Sequence, residues 1–214
     1  MIIKNVMTRN PYVISPESSV TEAKALMSKK NISKLPVVDK SNKLVGIITK
    51  NDLAKAGPSD ATTLDMFEIG YLLSKLTVSK VMTKDVVTVS ENEVVEEAAR
   101  IMVDRQIGCI PVVENDVLVG IVTESDLFHL FTDIFSARQN GVRATIVMDD
   151  KPGQFLHITE DIARLNGNIV SVVTQELSDK AKRLVTVKAT GISAGQFEEI
   201  LSNLSLKADD IRVV

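Results

Sequence analysis

The chain has 214 residues, 25 Lys plus Arg against 28 Asp plus Glu, and is 44% hydrophobic and 25% charged, which suits one or two folded domains with real cores. A net charge of −3 runs against a dedicated nucleic-acid binder, which shows a basic balance or stripe. One cysteine (Cys109) and two histidines (His129, His157) supply neither a disulfide nor a metal cluster, and no apolar run approaches the ~20 residues of a membrane span.

The opening MIIKNVMTRNP has no signal-peptide pattern, so a cytoplasmic protein is expected. Its Val6-Met7-Thr8 recurs 75 positions on as Val81-Met82-Thr83. The register holds through Val20/Val95, Ala23/Ala98, Met27/Met102 and Pro36-Val37-Val38/Pro111-Val112-Val113. It drops to 74 at Leu44-Val45-Gly46-Ile47/Leu118-Val119-Gly120-Ile121, where a polar turn has lost one residue. A spacing kept across two apolar blocks and a turn marks a duplication.

Each copy reads β-α-β-β-α. A short extended segment (Val13-Ile14; 86–89) leads to Ser15 or Ser90 as the start of a helix, with Val20, Ala23, Leu26 and Met27, or Val95, Ala98, Ile101 and Met102, on one face. Two apolar strands follow, LPVVD with LVGIIT and IPVVE with LVGIVT, at hairpin spacing. A second helix opens at Asp52-Leu53 or Asp126-Leu127. A unit of ~50 residues buries too little surface alone, so the copies are expected to pair. Between them, Gly57-Pro58-Ser59-Asp60 is a breaker, and Thr62 or Thr63 is expected to cap a connector helix carrying Leu64, Phe67, Tyr71, Leu72 and Leu76.

After the polar SARQNG the repeat does not return. From Arg143 the chain reads strand, helix (155–165), strand, strand, helix (196–204), strand. That is the βαββαβ, ferredoxin-like order. Asp150 is expected to cap its first helix, Pro152 to start it, and Gly167 to supply a left-handed end.

Gly-Ile-Ile-Thr-Lys-Asn-Asp-Leu (46–53) and Gly-Ile-Val-Thr-Glu-Ser-Asp-Leu (120–127) are the best site candidates. A strand running into a helix offers free N–H groups to phosphate, the threonine adds a hydroxyl, and a carboxylate suits two ribose hydroxyls. Gly46 and Gly120 would let a flat ligand approach the backbone. The same residues read equally well as capping residues with no ligand. For the first copy Lys34 and Lys50, against Cys109 and Glu124 in the second, favour polyphosphate in the Asp52 cleft.

The Val-Met-Thr entries, Pro-Val-Val strands and Gly-x-x-Thr-x-x-Asp endings resemble the tandem CBS motif, or Bateman module, over about residues 1–135. Residues 1–57 match the first motif, 58–78 a helical connector and 79–135 the second. The resemblance implies clefts for AMP, ATP or S-adenosylmethionine, with Asp52 and Asp126 on ribose and Thr49 and Thr123 reaching phosphate. The implied set is Ile32, Lys34, Pro36, Thr49, Asn51 and Asp52, with Ile107, Cys109, Pro111, Thr123, Ser125 and Asp126 from the second copy. Residues 142–214 resemble an ACT domain, through Asp150-Lys151-Pro152-Gly153 and Asn166-Gly167-Asn168-Ile169. That implies an amino-acid site at Asp150, Gly153, Asn168 and Ile169, or a dimer contact only. The CBS pair followed by ACT is similar to acetoin-utilisation regulatory proteins of the AcuB type.

The expected protein is therefore an α+β, homodimeric ligand sensor acting on an unidentified protein target, with an interaction protein whose pockets are vestigial as the alternative. No enzyme, metal, nucleic-acid or membrane function is expected. Cys109 reads as a buried inert thiol, and His129 and His157 as packed or partly exposed histidines.

Overall fold

The computed structural model describes residues 1–57 and 65–214, which fall into two compact units, Met1–Phe128 and His129–Val214. In the first, a 3-10 turn (Ile3–Asn5) and β1 (Thr8–Arg9) precede α1 (Val20–Lys30), β2 (Lys34–Val38), β3 (Leu44–Thr49) and α2 (Lys50–Lys55). Next come α3 (Met66–Lys75), α4 (Val78–Val81), α5 (Val95–Arg105), β4 (Cys109–Glu114), β5 (Val117–Thr123) and α6 (Glu124–Ile134), the last crossing the unit boundary.

The duplication is visible in the register. β2 and β3 pair with Lys34 opposite Thr49 and Val37 opposite Gly46, with an irregularity after Val37. β4 and β5 pair with Cys109 opposite Thr123 and Val112 opposite Gly120, with the same irregularity after Val112. The missing residue lies in the second turn, where Asn115 and Asp116 both have positive φ, the requirement of a tight two-residue hairpin. In the longer first turn Asp39 Oδ1 accepts from the Ser41 and Lys43 amides.

The copies are interlocked. β1 comes from the first copy but pairs with β5 of the second, Thr8 opposite Ile121. Reciprocally, Thr83 bridges to Ile47 on β3. Each Val-Met-Thr entry thus adds an edge to the other copy's hairpin. Between them Ile47, Cys109 and Ile121 form a small buried cluster. The larger core of the first copy holds Ile14, Val20, Ala23, Met27, Leu35, Val37, Ile48, Leu53 and Val78. Leu26 and Ile101 are half-buried.

Two helix starts differ from the expectation. α1 begins at Ser19, not Ser15: the Ser19 hydroxyl accepts from the Glu22 amide and the Glu22 carboxylate accepts from the Ser19 amide, because that exchange satisfies two otherwise free donors. In the second copy Val94 occupies the equivalent place and no side chain caps α5. Thr62 and Thr63, expected to cap the connector helix, lie outside the described residues. The cap of α3 is Asp65, whose Oδ1 accepts from the Phe67 and Glu68 amides.

The second unit contains β6 (Val142–Asp149), α7 (Gln154–Arg164), β7 (Asn168–Glu176), β8 (Lys182–Thr190), α8 (Ala194–Asn203) and β9 (Ala208–Val213). The sheet order is β7-β8-β6-β9, with all neighbours antiparallel. One sheet face contributes Ala144, Ile146, Val185 and Val187 to a core closed by Ile158, Ile162, Phe197, Ile200 and Leu201 of the helices. On β8 the side chain of Lys188 is 5% exposed and donates to the Ser136 carbonyl, while Ser171 Oγ donates to that of Ile134.

Asp150 does not cap α7. Its carboxylate pairs with Arg183 at 3.0 Å, and the N-cap is Gly153 at φ +82°, with no side-chain bond. Gly167 is not left-handed either; Asn166 takes that conformation at φ 58°. Gly167 is required by packing, since a Cβ would stand 2.8 Å from both Ile162 and Ile192.

Candidate functional site

Both Thr-x-x-Asp endings are closed capping boxes. Thr49 ends β3 and caps α2: its amide and hydroxyl both donate to Asp52 Oδ2, at 2.8 and 2.7 Å, and its oxygen accepts from the Asp52 amide at 3.3 Å. Thr123 and Asp126 repeat this at 2.8, 2.7 and 3.4 Å. The capping reading is therefore realised in each copy. Oδ1 of each aspartate accepts no hydrogen bond among the described residues and is the oxygen left for a ligand hydroxyl. The threonine proton is engaged, so donation to a phosphate requires rotating it away from its aspartate.

Gly46 and Gly120 do not make room for a ligand. The space beside Gly46 is filled by Met82, and that beside Gly120 by Met7. Each glycine accommodates the methionine of the other copy's Val-Met-Thr entry.

The interlock builds two clefts related by the repeat. One, of about 600 Å³, is lined by Thr49, Lys50, Asn51 and Asp52 of the first copy and by Thr83, Asp85, Val86, Val87 and residues 106–109 of the second. The other, of about 700 Å³, is lined by Thr123 and Ser125 of the second copy and by residues 8–12 and 31–34 of the first, with Pro36 and Lys50. Both volumes fall in the range of small-molecule sites. Thus Ile107 and Cys109 meet Thr49, Asn51 and Asp52, whereas Ile32, Lys34 and Pro36 meet Thr123 and Ser125. Lys34 borders both clefts; Pro111 and Asp126 border neither.

Sequence reasoning missed the residues just after each Val-Met-Thr entry. Thr8, Asn10, Pro11 and Tyr12 line one cleft while Thr83, Asp85, Val86 and Val87 line the other, all at the 75-residue spacing. The repeat itself was the available signal. Arg9 is added to the second cleft by the same segment.

Charge separates the clefts differently from the sequence expectation. The cleft of Asp52 has Lys34, Lys50 and Lys55 against Asp52, Asp85 and Glu124. Lys34 Nζ donates to the Gly108 carbonyl and lies 3.9 Å from Glu124. The cleft of Thr123 has Arg9, Lys34 and Lys50 and, among the described residues, no carboxylate in its lining. Lys34 and Lys50 therefore do not belong to the Asp52 cleft alone. Cys109 is 8% exposed, and burial pushes its thiol above the ordinary value despite the opposing charge of Lys34; Glu124 adds to the rise. A protonated, buried thiol is a poor nucleophile.

This geometry coincides with a family. The CBS domain matches residues 3–59 and 78–133, one stretch for each copy. The chain belongs to the CBS-domain family. Among solved structures, a putative acetoin utilization protein (AcuB) from Vibrio cholerae is 32% identical, with a TM-score of 0.55 over 64% of this chain and 95% of that one. A CBS-domain pair in complex with 5′-methylthioadenosine and S-adenosyl-L-methionine is 35% identical (TM-score 0.51; 61% and 99% covered). CBSX2 in complex with AMP is 27% identical (TM-score 0.52; 64% and 98% covered). The curated relative L-aspartate semialdehyde sulfurtransferase of Methanocaldococcus jannaschii is 35% identical over 61% of this chain, but the match spans only 23% of that enzyme. The chain thus spans about a quarter of the length of that curated relative.

In the second unit, Asp150 is held by Arg183, Gly153 is the left-handed N-cap, and the Asn168 carbonyl lies 3.4 Å from Thr190 Oγ1. Ile169 packs against the core. None of the four borders either cleft. Among the described residues, no group of three His, Cys, Asp or Glu could hold a metal ion, and no helix is long and apolar enough to cross a membrane.

Proposed function

We propose that this chain is a cytoplasmic regulatory protein that senses adenosyl ligands, AMP, ATP or S-adenosylmethionine, in its two CBS clefts and catalyses no reaction. The observation that carries this is the pair of repeat-related clefts, each with an apolar wall (Ile107 and Val86, or Ile32 and Pro36) for a base. The first also has Asp52 with a free carboxylate oxygen for ribose; Asp126 would have to act from just outside the second. The solved relatives with methylthioadenosine, S-adenosylmethionine and AMP support the same ligand class. Ligand that fits one arrangement of the two copies better than another would shift the balance between them, which is the physical content of regulation.

The second unit is read as an ACT-type, ferredoxin-like domain on its βαββαβ order, with an amino-acid site at Asp150, Gly153, Asn168 and Ile169. The domain boundaries are read as 1–57, 58–78, 79–135 and 142–214. A homodimer is supported by exposed apolar side chains on α3 (Phe67, Tyr71, Leu72) and α6 (Phe128), which a second copy would cover. A link to acetoin utilisation is supported by the domain-order resemblance and by the Vibrio cholerae relative. The second reading, an interaction protein with vestigial pockets, is favoured by one observation: both threonine hydroxyls are already spent on capping. Titration calorimetry with AMP, ATP and S-adenosylmethionine separates the two. Saturable binding of any one supports sensing; no heat from all three supports the vestigial reading.

A further inference from the structure

The two clefts share a plan but not a charge. Among the described residues, the Asp52 cleft is lined by three basic and three acidic side chains, so they offer no net attraction to an anion. The Thr123 cleft presents Arg9, Lys34 and Lys50 with no lining carboxylate among the described residues. The difference arises at the repeat-related positions. Asp85 stands in the first cleft where Asn10 stands in the second, and the first alone includes Glu124.

We propose that the clefts are sorted by charge: the Thr123 cleft takes the polyphosphate of an adenine nucleotide, read by Arg9, Lys34 and Lys50, and the Asp52 cleft takes an adenosyl ligand of low negative charge. This deepens, and rests on, the ligand-sensing reading above. Arg9 is the specificity-determining residue, because it borders the Thr123 cleft alone, whereas the two lysines border both. Its guanidinium presents fixed paired donors that match phosphate oxygens. It lies on the exposed β1, its only side-chain bond among the described residues being a long one to the Lys4 carbonyl, at 3.4 Å. A phosphate therefore displaces little to engage it.

The shared lysines add a consequence. Lys34 Nζ is held on the Asp52 side by the Gly108 carbonyl and Glu124, and a phosphate tail in the Thr123 cleft competes with Glu124 for it. With Lys34 and Lys50 committed to one tail, the other cleft keeps Asp52, Asp85 and Glu124 against Lys55 alone. It then repels a second polyphosphate while still accepting a neutral or cationic adenosyl ligand.

The test is titration calorimetry of the full chain with ATP, AMP and 5′-methylthioadenosine, on wild type, Arg9→Ala, Arg9→Lys and Lys55→Ala, with melting curves to show that each variant folds. Wild type should bind one ATP per chain tightly and still bind methylthioadenosine when ATP is saturating. Arg9→Ala should weaken ATP about 10-fold or more and methylthioadenosine less than 2-fold, Arg9→Lys should recover part of the loss, and Lys55→Ala should leave ATP within 2-fold. Two equivalent ATP sites, or a larger ATP loss in Lys55→Ala than in Arg9→Ala, overturns the charge sorting while leaving the ligand-sensing reading intact. Absence of binding by all three compounds overturns both.

Discussion

The sulfur of Met82 lies 2.5 Å from the place a Cβ on Gly46 would occupy, and the sulfur of Met7 lies 2.6 Å from the same place on Gly120. Each methionine belongs to one copy of the repeat and each glycine to the other. The exchange that pairs β1 with β5 and Thr83 with Ile47 is thus locked by a side chain that tolerates no added carbon. The backbone carbonyl of Thr83 is also close, at 2.9 Å from the Gly46 position, so a rotamer change of Met82 alone does not relieve the crowding. Gly46→Ala is expected to cost about 1–3 kcal/mol, the usual penalty of overpacking. In Gly120→Ala the backbone is farther, 3.1 Å, and Met7→Ala should recover more of the loss. Denaturant melts of the single and double variants give the coupling directly.

The capping boxes allow structural and ligand roles of the same residue to be separated. Thr49→Ala removes the bond accepted from the Asp52 amide and should destabilise the protein by about 0.5–2 kcal/mol, the range for a lost helix cap. Asp52→Asn keeps an acceptor for the cap but loses the charge, so its melting point should change little. Its affinity for adenosyl ligands should fall about 10-fold, because a charged acceptor makes the stronger hydrogen bond. Calorimetry and thermal melts on the two variants check both halves.

The helices before β2 and β4 both end in a left-handed residue, Asn31 at φ 50° and Gln106 at φ 53°. Asparagine tolerates that conformation better than glutamine, and glycine best. Gln106→Gly is expected to stabilise the fold by a few tenths to about 1 kcal/mol. Asn31→Gln should do the opposite, and urea melts report each.

Cys109 gives a pH dependence. Burial raises its thiol above the ordinary 9.0, so the folded protein holds this proton to higher pH than the unfolded chain. The stabilisation is fully present below the unfolded pKa and is lost as pH climbs through the folded one. Wild type should therefore lose stability relative to Cys109→Ser as pH rises above 9.0, and alkylation of the folded thiol should be slow at neutral pH. A pH series of melts, with iodoacetamide labelling, checks this.

The duplication, its hairpins and the βαββαβ order of the second unit were legible because apolar periodicity and Pro-Val-Val-type strands are local features. The pairing of β1 with β5 was not, because exchange between two similar copies leaves no local trace: Thr8 carries the same neighbours whether it pairs with Ile47 or Ile121. That one ambiguity also hid the true lining of the clefts, since it sends Ile32 and Pro36 to the cleft of Thr123 and not to that of Thr49. The glycines were misassigned for the same reason, their partner Met82 or Met7 being 36 or 113 positions away. Helix caps were misread at Ser15, whose hydroxyl donates to the Glu17 carboxylate, and at Asp150, whose carboxylate pairs with Arg183.

The central claim, that adenosyl ligands bind in clefts shared between the two copies, is tested most directly by calorimetric titration of AMP into wild type, Asp52→Asn, Asp126→Asn and the double variant. The account predicts saturable binding to wild type, loss confined to one of the two sites in each single variant, and about 10-fold weaker binding at both sites in the double variant with its melting temperature little changed. Undiminished AMP binding by a folded double variant, or no AMP binding by wild type, would contradict it.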